Sequence, residues 1–272
     1  MQKTGIEYLT HTWNLIAMRC TKCSPGCEIC WHLTTADRLC NNMSLPEDER
    51  MALGGTGPFV LRQRELSAPS RTKKPAVIGV QFMGDLFHEG VPYSFIEKAY
   101  MSMIDFSHNK YLILTKRPKR MAEWVKMNWA NNCIWHGLTV CNQAEADEKI
   151  PIFLQVPGKK FLSIEPMLEA IDIKDALYDY NWHVFNSVRP VGKPKEIDAV
   201  ILGGETLGNR PGREMKTEWV ENIVGQCTSA GVPLFIKQIH LNGKVSKNMN
   251  EWPEELRVRE LPWLNHNSPS KC

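Results

Sequence analysis

Four cysteines fall within eleven residues near the start of the chain: Cys20, Cys23, Cys27 and Cys30, in the segment RCTKCSPGCEICW. Two three-cysteine spacings coexist there. Cys23, Cys27 and Cys30 read C-x3-C-x2-C, and Cys20, Cys27 and Cys30 read C-x6-C-x2-C. Thiolates this close in a loop can wrap an iron–sulfur cluster or a zinc ion, and Pro25-Gly26 permits the tight turns that wrapping needs. The chain has nine cysteines, an odd number. Met1 to Thr12 carries no apolar export core, so a reducing cytoplasm and metal or redox chemistry are expected rather than disulfides. Cys133, Cys141 and Cys227 read as buried free thiols, Cys40 as part of a helix, and Cys272 as incidental.

Composition bounds the rest. With 272 residues, 43% hydrophobic and 23% charged, the chain is an ordinary globular sequence with ample core, which excludes a disordered or fibrous main state. No apolar run approaches a bilayer span, so no membrane partner is expected. The net charge of +3 is too small to imply a polyanion partner by itself.

The elements that must position the cysteines follow a repeated pattern of apolar run, then helix. Seven strand candidates emerge: Trp13–Met18, Ala76–Phe82, Tyr111–Thr115, Ile134–Val140, Lys160–Ile164, Ala199–Leu202 and Pro233–Ile236. Most are continuously apolar, as in a parallel sheet buried on both faces, and their alternation with helices argues for βα units. An α/β fold of the partial (β/α)6 TIM-barrel type is expected, with a doubly wound sheet as the competitor. It should span residues 1–247, with insertions at 41–74 and 178–197 and a C-terminal appendage over 248–272.

In such a fold chemistry collects where strands end. The second strand ends at Gly84 and Asp85, with His88 and Glu89 close behind. The third ends in Lys116-Arg117-Pro118-Lys119-Arg120, whose cations could hold a carboxylate or phosphate. The fourth offers Thr139 and Asn142. The fifth offers Ser163 and Glu165, a carboxylate costly to bury unless paired. The sixth offers Gly203, Gly204 and Glu205, and the seventh Lys237-Gln238. Glu165, Asp85 and His88 are the catalytic candidates. Some have a plain structural reading as well: Asp85 as a helix cap, His88 as a satisfied histidine, the cations as a solvated helix start.

The C-x3-C-x2-C spacing after the first strand, with apolar Ile29 before the last cysteine, resembles the radical SAM superfamily. The wider chain is similar to a phage-associated three-cysteine family of radical SAM-like proteins. The matching stretches are Cys20–Trp31, Met83–His88, Leu114–Pro118, Gly137–Gln143, Ser163–Pro166, Gly203–Glu205 and Gly231–Gln238. In that family the first cysteine matches Cys20 and the position of Cys23 is usually apolar; this chain has both. The resemblance implies a [4Fe-4S] cluster on three of the four cysteines and S-adenosyl-L-methionine on its open iron. It also implies cofactor contacts from Gly84, Asp85, Lys116, Thr139, Asn142, Ser163, Glu165, Gly203 and Gly204, and a reductase or flavodoxin-type electron donor. The implied reaction is reductive cleavage to a 5′-deoxyadenosyl radical that takes a substrate hydrogen. An isomerisation or other modification of a thymidine base in phage DNA would use this chemistry, in a host cytoplasm. Two alternatives stand beside it: a zinc-containing nucleic-acid-binding protein using all four cysteines, and a barrel hydrolase using Asp85, Glu165 and Glu205.

Overall fold

Six of the seven apolar runs become strands of one sheet, and the first contributes only Trp13 to it. The computed structural model describes residues 1–126, 129–177, 196–208 and 210–263. The central sheet has nine strands: β1 (Gln2–Lys3), β2 (His11–Trp13), β5 (Val77–Val80), β6 (Lys110–Thr115), β7 (Ile134–Thr139), β8 (Lys159–Ile164), β9 (Ala199–Gly203), β12 (Leu234–Leu241) and β13 (Lys244–Ser246). Their order in the sheet is their order in the chain. The seven from β2 to β12 are parallel, and an antiparallel hairpin strand closes each edge. Two short pairs, β3 (Ile16–Ala17) with β4 (Val60–Leu61) and β10 (Thr206–Leu207) with β11 (Arg210–Pro211), stand apart.

Because side chains alternate along a strand, the sheet splits its apolar residues between two cores. Ile78, Val80, Tyr111, Ile113, Leu162, Val200 and Ile236 face the larger core. Helices α3 (Tyr93–Asp105), α4 (Pro118–Trp124), α5 (Gln143–Phe153) and α7 (Thr217–Ala230) cover that face; α1 (Trp31–Leu39), α2 (Glu47–Gly54) and α6 (Lys174–Leu177) complete the helices described. Helix α3 shows why the face is apolar: Phe95, Ile96, Ala99, Tyr100 and Met103 recur at helical spacing and are all buried. The opposite face has its own core of Val77, Leu112, Trp135, Phe161, Ala199, Ile201 and Phe235, sealed by Tyr8, Leu9 and Trp263. This is an α/β architecture around a large, mainly parallel sheet.

Two strand boundaries change, and the insertion gains detail. The first strand does not run from Trp13 to Met18. It occupies His11–Trp13, and Ile16–Ala17 leaves to pair with Val60–Leu61. Gln81 causes the exit: its side-chain amide accepts from the Ile16 amide at 2.8 Å and donates to the Ile16 carbonyl at 3.0 Å, replacing a ladder partner. The segment 41–74, expected as an insertion, has structure of its own. It carries α2 and β4, and buried Glu49 binds Arg62 at 2.7 Å and Arg64 at 3.1 Å. The last run does not stop at Ile236. It continues to Leu241 through a bulge at Lys237. Beyond Lys247 the chain packs back, with Trp252 and Leu256 in the larger core. The insertion expected at 178–197 lies, except for residues 196–197, outside the described residues, as does Cys272.

Candidate functional site

Seven parallel strands in one sheet place all their C-terminal ends on one side. There a cavity of about 1080 Å³ opens. Every strand end contributes to it: Asn14 after β2, Gly84 and Asp85 after β5, Lys116 and Arg117 after β6, then Thr139, Ser163, Glu165, Gly204, Glu205, Lys237 and Gln238. Cys20, Cys23, Cys27 and Cys30 all line the same cavity.

The cysteine loop is shaped locally and then seated by distant residues. Ser24 Oγ accepts from the Gly26 amide at 3.1 Å and caps a single 3-10 turn, Pro25–Cys27, after which Cys30 begins α1. Gly26 is needed by contact: a Cβ there would lie 2.4 Å from Cys141 Sγ and 3.0 Å from Pro166 Cδ. The Cys23 thiol is hydrogen-bonded to Cys27, which draws Cys27 down toward thiolate and pushes Cys23 up; the nearby Lys116 adds to the first effect. Burial and the Asp85 charge push Cys20 up to about 11, against the pull of Arg117, whose Nη1 lies 3.8 Å from the sulfur. Among the described residues no three His, Cys, Asp or Glu side chains are gathered tightly enough to hold a metal ion. The thiols are neighbours on one wall, not a closed tetrahedron.

Behind them sits a saturated carboxylate. Asp85 accepts from Thr115 Oγ1 at 2.8 and 2.9 Å, from the Phe87 and Lys116 amides at 2.9 and 3.2 Å, and from Arg117 Nη1 at 3.1 Å. A carboxylate has about four lone-pair positions, so Asp85 has no acceptor left for a ligand and acts as a positioning residue. Arg117 is equally engaged. It binds Glu89 through Nε at 3.0 and 2.9 Å, and Thr21 through Nη2 at 3.2 and 2.9 Å. His88 does not line the cavity. Burial lowers its pKa, and Nδ1 accepts from the Gly90 amide at 3.0 Å, so the Nε2 proton faces Thr21 Oγ1 at 2.8 Å. His88 therefore helps seat the cysteine loop at Thr21. Asn142 also stands outside the cavity; its Oδ1 caps α5 at the Glu145 amide, 2.9 Å away.

Lys116 is different. Its ammonium makes no hydrogen bond or ion pair among the described residues. Although burial opposes its charge, Cys141, Cys27, Cys30 and Asp85 hold its pKa above the ordinary value. Gly84 next to it has φ +126°, and a Cβ would press to 2.5 Å from the Met18 sulfur, so only glycine fits.

On the opposite wall Glu165 accepts from Lys237 at 2.9 Å, from Ser163 at 3.2 Å and from Tyr8 at 3.5 Å. The β12 bulge explains how Lys237 reaches it, since a bulge re-aims one side chain. Burial and Glu165 together raise the Tyr8 pKa; burial opposes the Lys237 charge, but Glu165 and Glu7 together raise its pKa. Gly203 lies directly beneath, 3.3 Å from Glu165 Oε2 when a Cβ is added. Glu205 is buried in a pair with Arg213, whose Nε and Nη2 stand 2.8 and 2.6 Å away. The same guanidinium reaches the Pro25 carbonyl at 2.9 Å and Glu28 at 2.8 Å, strapping the cysteine loop to the end of β9. Thr139 Oγ1 and Gln238 Oε1 are buried just beneath the wall without a hydrogen-bond partner among the described residues.

The chain belongs to the DUF5131 family. That family is described as a protein of unknown function, and its match covers residues 3–261. No curated protein and no solved structure matches the chain. The DUF5131 match covers the cysteine loop and every strand end named above. Sequence reasoning missed Tyr8, which precedes a strand instead of ending one, and the strap made by Arg213. Only the density of cations hinted at the second.

Proposed function

We propose that this cavity is the active site of a radical S-adenosylmethionine enzyme built on a partial β/α barrel. Strand order supports the barrel: seven parallel strands succeed one another without the reversal that a doubly wound sheet requires. A private core on the inner face, where Tyr8 before the first parallel strand meets Phe235 of the last at 5.7 Å between ring centroids, supports it too.

The observation that carries the chemistry is the shared wall: four thiols and the open ammonium of Lys116 beside the strand ends. The donor set suits an iron–sulfur cluster, since thiolates are its usual ligands and Cys27 is already drawn toward thiolate. Cys27 and Cys30, with either Cys20 or Cys23, would hold it. With the cluster and S-adenosylmethionine bound, the chemistry supplied is one-electron cleavage of the sulfonium to a 5′-deoxyadenosyl radical that takes a substrate hydrogen. The chain's own residues orient and shield. Lys116 offers a cation to a carboxylate, Gly84 lets the backbone approach closely, and the Thr139, Ser163 and Gly204 wall faces the remainder of the ligand. Asp85, Arg117 and His88 fix the loop that carries the cysteines.

The substrate we propose is a nucleotide or base. Lys116, Arg117, Arg120, Arg210 and Arg213 are the cations a nucleotide or base could meet; Arg117 and Arg213 are held by carboxylates and Arg120 by the carbonyls of His88 and Val91, which leaves Lys116 and Arg210 without an ion pair among the described residues. That accounting favours recognition of a local group over a long duplex backbone. Reconstitution without oxygen tests the chemistry: about four irons with sulfide per chain, and 5′-deoxyadenosine on adding a reductant and S-adenosylmethionine, are expected. One zinc and no sulfide would overturn the proposal in favour of a zinc-binding protein.

A further inference from the structure

Helix α1 leaves the cavity wall at Cys30 and forms its rim. Trp31, Thr35 and Arg38 all line the cavity. They are spaced i, i+4 and i+7, which is one face of a helix. Trp31 is 53% exposed although it is the largest side-chain type, and its one described aromatic neighbour is His32, edge-on at 6.4 Å. A large aromatic left open at a cavity mouth is a surface waiting for a flat partner.

The charges around it are unbalanced in one direction. Between Arg19 and Cys40 the acids are Glu28 and Asp37. Glu28 is bound by Arg213 at 2.8 Å, and Asp37 by Arg19 at 2.5 Å. Arg38 forms no ion pair among the described residues, so α1 presents a cation to the cavity without a counter-charge. Seven residues of helix advance about 10 Å, so Arg38 stands about two turns beyond the Trp31 ring on the same face.

We infer that α1 is a nucleotide-binding platform, with a base stacked on Trp31 and a phosphate taken by Arg38. Aromatic stacking with a cation alongside is how single-stranded nucleic acid is held without sequence readout, and a guanidinium is the preferred partner of phosphate. This names the substrate class of the active site proposed above. Binding at the platform stands on α1 alone; only the reaction of the bound nucleotide rests on the radical chemistry.

The test is fluorescence anisotropy with a labelled ten-residue thymidine oligonucleotide at low salt, with thymidine monophosphate as competitor. The wild-type chain is expected to bind the oligonucleotide. Trp31→Ala should weaken binding about tenfold or more, and Trp31→Phe should restore most of it. Arg38→Ala should weaken binding and lower the salt dependence by about one counterion. Both side chains are exposed, so these variants keep the fold. Competition by the monophosphate identifies a free nucleotide as the ligand; its failure with the oligonucleotide bound identifies a strand. No oligonucleotide or monophosphate binding at low salt, or equal binding by wild type and Trp31→Ala, overturns the inference. A chain that binds the oligonucleotide yet takes up no iron and sulfide sinks the radical chemistry and leaves the platform standing.

Discussion

The two walls of the cavity handle charge in opposite ways. On the cysteine side Asp85 and Arg117 are saturated, and Lys116 is left open among thiols. On the far side Lys237 and Glu165 cancel at 2.9 Å under the hydroxyls of Ser163 and Tyr8. Both walls carry a lysine at a strand end, and sequence alone gives them equal standing. A paired lysine holds the wall together, whereas an unpaired one leaves its charge unmatched; on the function proposed above, that charge meets an anion.

The largest effect should come from the thiols. Cys27→Ser and Cys30→Ser should each abolish iron and sulfide uptake, measured by metal and sulfide analysis. Of Cys20→Ser and Cys23→Ser, one should retain it. Next, Asp85→Ala strips Arg117 of a buried partner, with side chains 5% and 7% exposed. It should cost about 3–5 kcal/mol in urea unfolding. The lysines then separate. Lys237→Met should cost about 1–3 kcal/mol, because Glu165 loses its counter-charge. Lys116→Met should change stability by less than about 0.5 kcal/mol while weakening a carboxylate ligand about tenfold in calorimetry. Equal stability losses in the two variants would erase the contrast between the walls.

One further effect lies outside the cavity and calibrates the others. Burial pushes the His136 imidazole down to about 3 from an ordinary 6.5. The folded pKa is the lower one, so only the unfolded chain takes up a proton as pH falls below 6.5, and stability drops in that window. Between pH 7 and pH 5 this residue should account for about 2 kcal/mol. Unfolding of His136→Gln at both values should show the loss reduced by that amount.

How far the sequence is readable depends on the kind of force involved. Parallel strands buried on both faces are written as continuous apolar runs, so β5 to β9 stand where the runs place them. The first strand is not legible in the same way, because its end is set by Gln81, a tertiary contact 65 residues away from Ile16. The residue types at the strand ends are legible; their states are not. Nothing local to Thr115–Arg120 tells that Arg117 meets Glu89 and Asp85 while Lys116 meets neither. Asp85 and His88 have the residue types of catalytic groups, and the hydrogen bonds that make them supports for the loop come from residues that only folding brings near.

The Arg213 strap has a consequence for biosynthesis. The four cysteines leave the ribosome well before the groups that seat them. Arg117 comes 97 residues after Cys20, and Arg213 comes 188 after Pro25. Until β9 and Arg213 have emerged, the thiols have no completed wall to lie on. Seating of the cysteine loop therefore waits for the synthesis of the chain through Arg213.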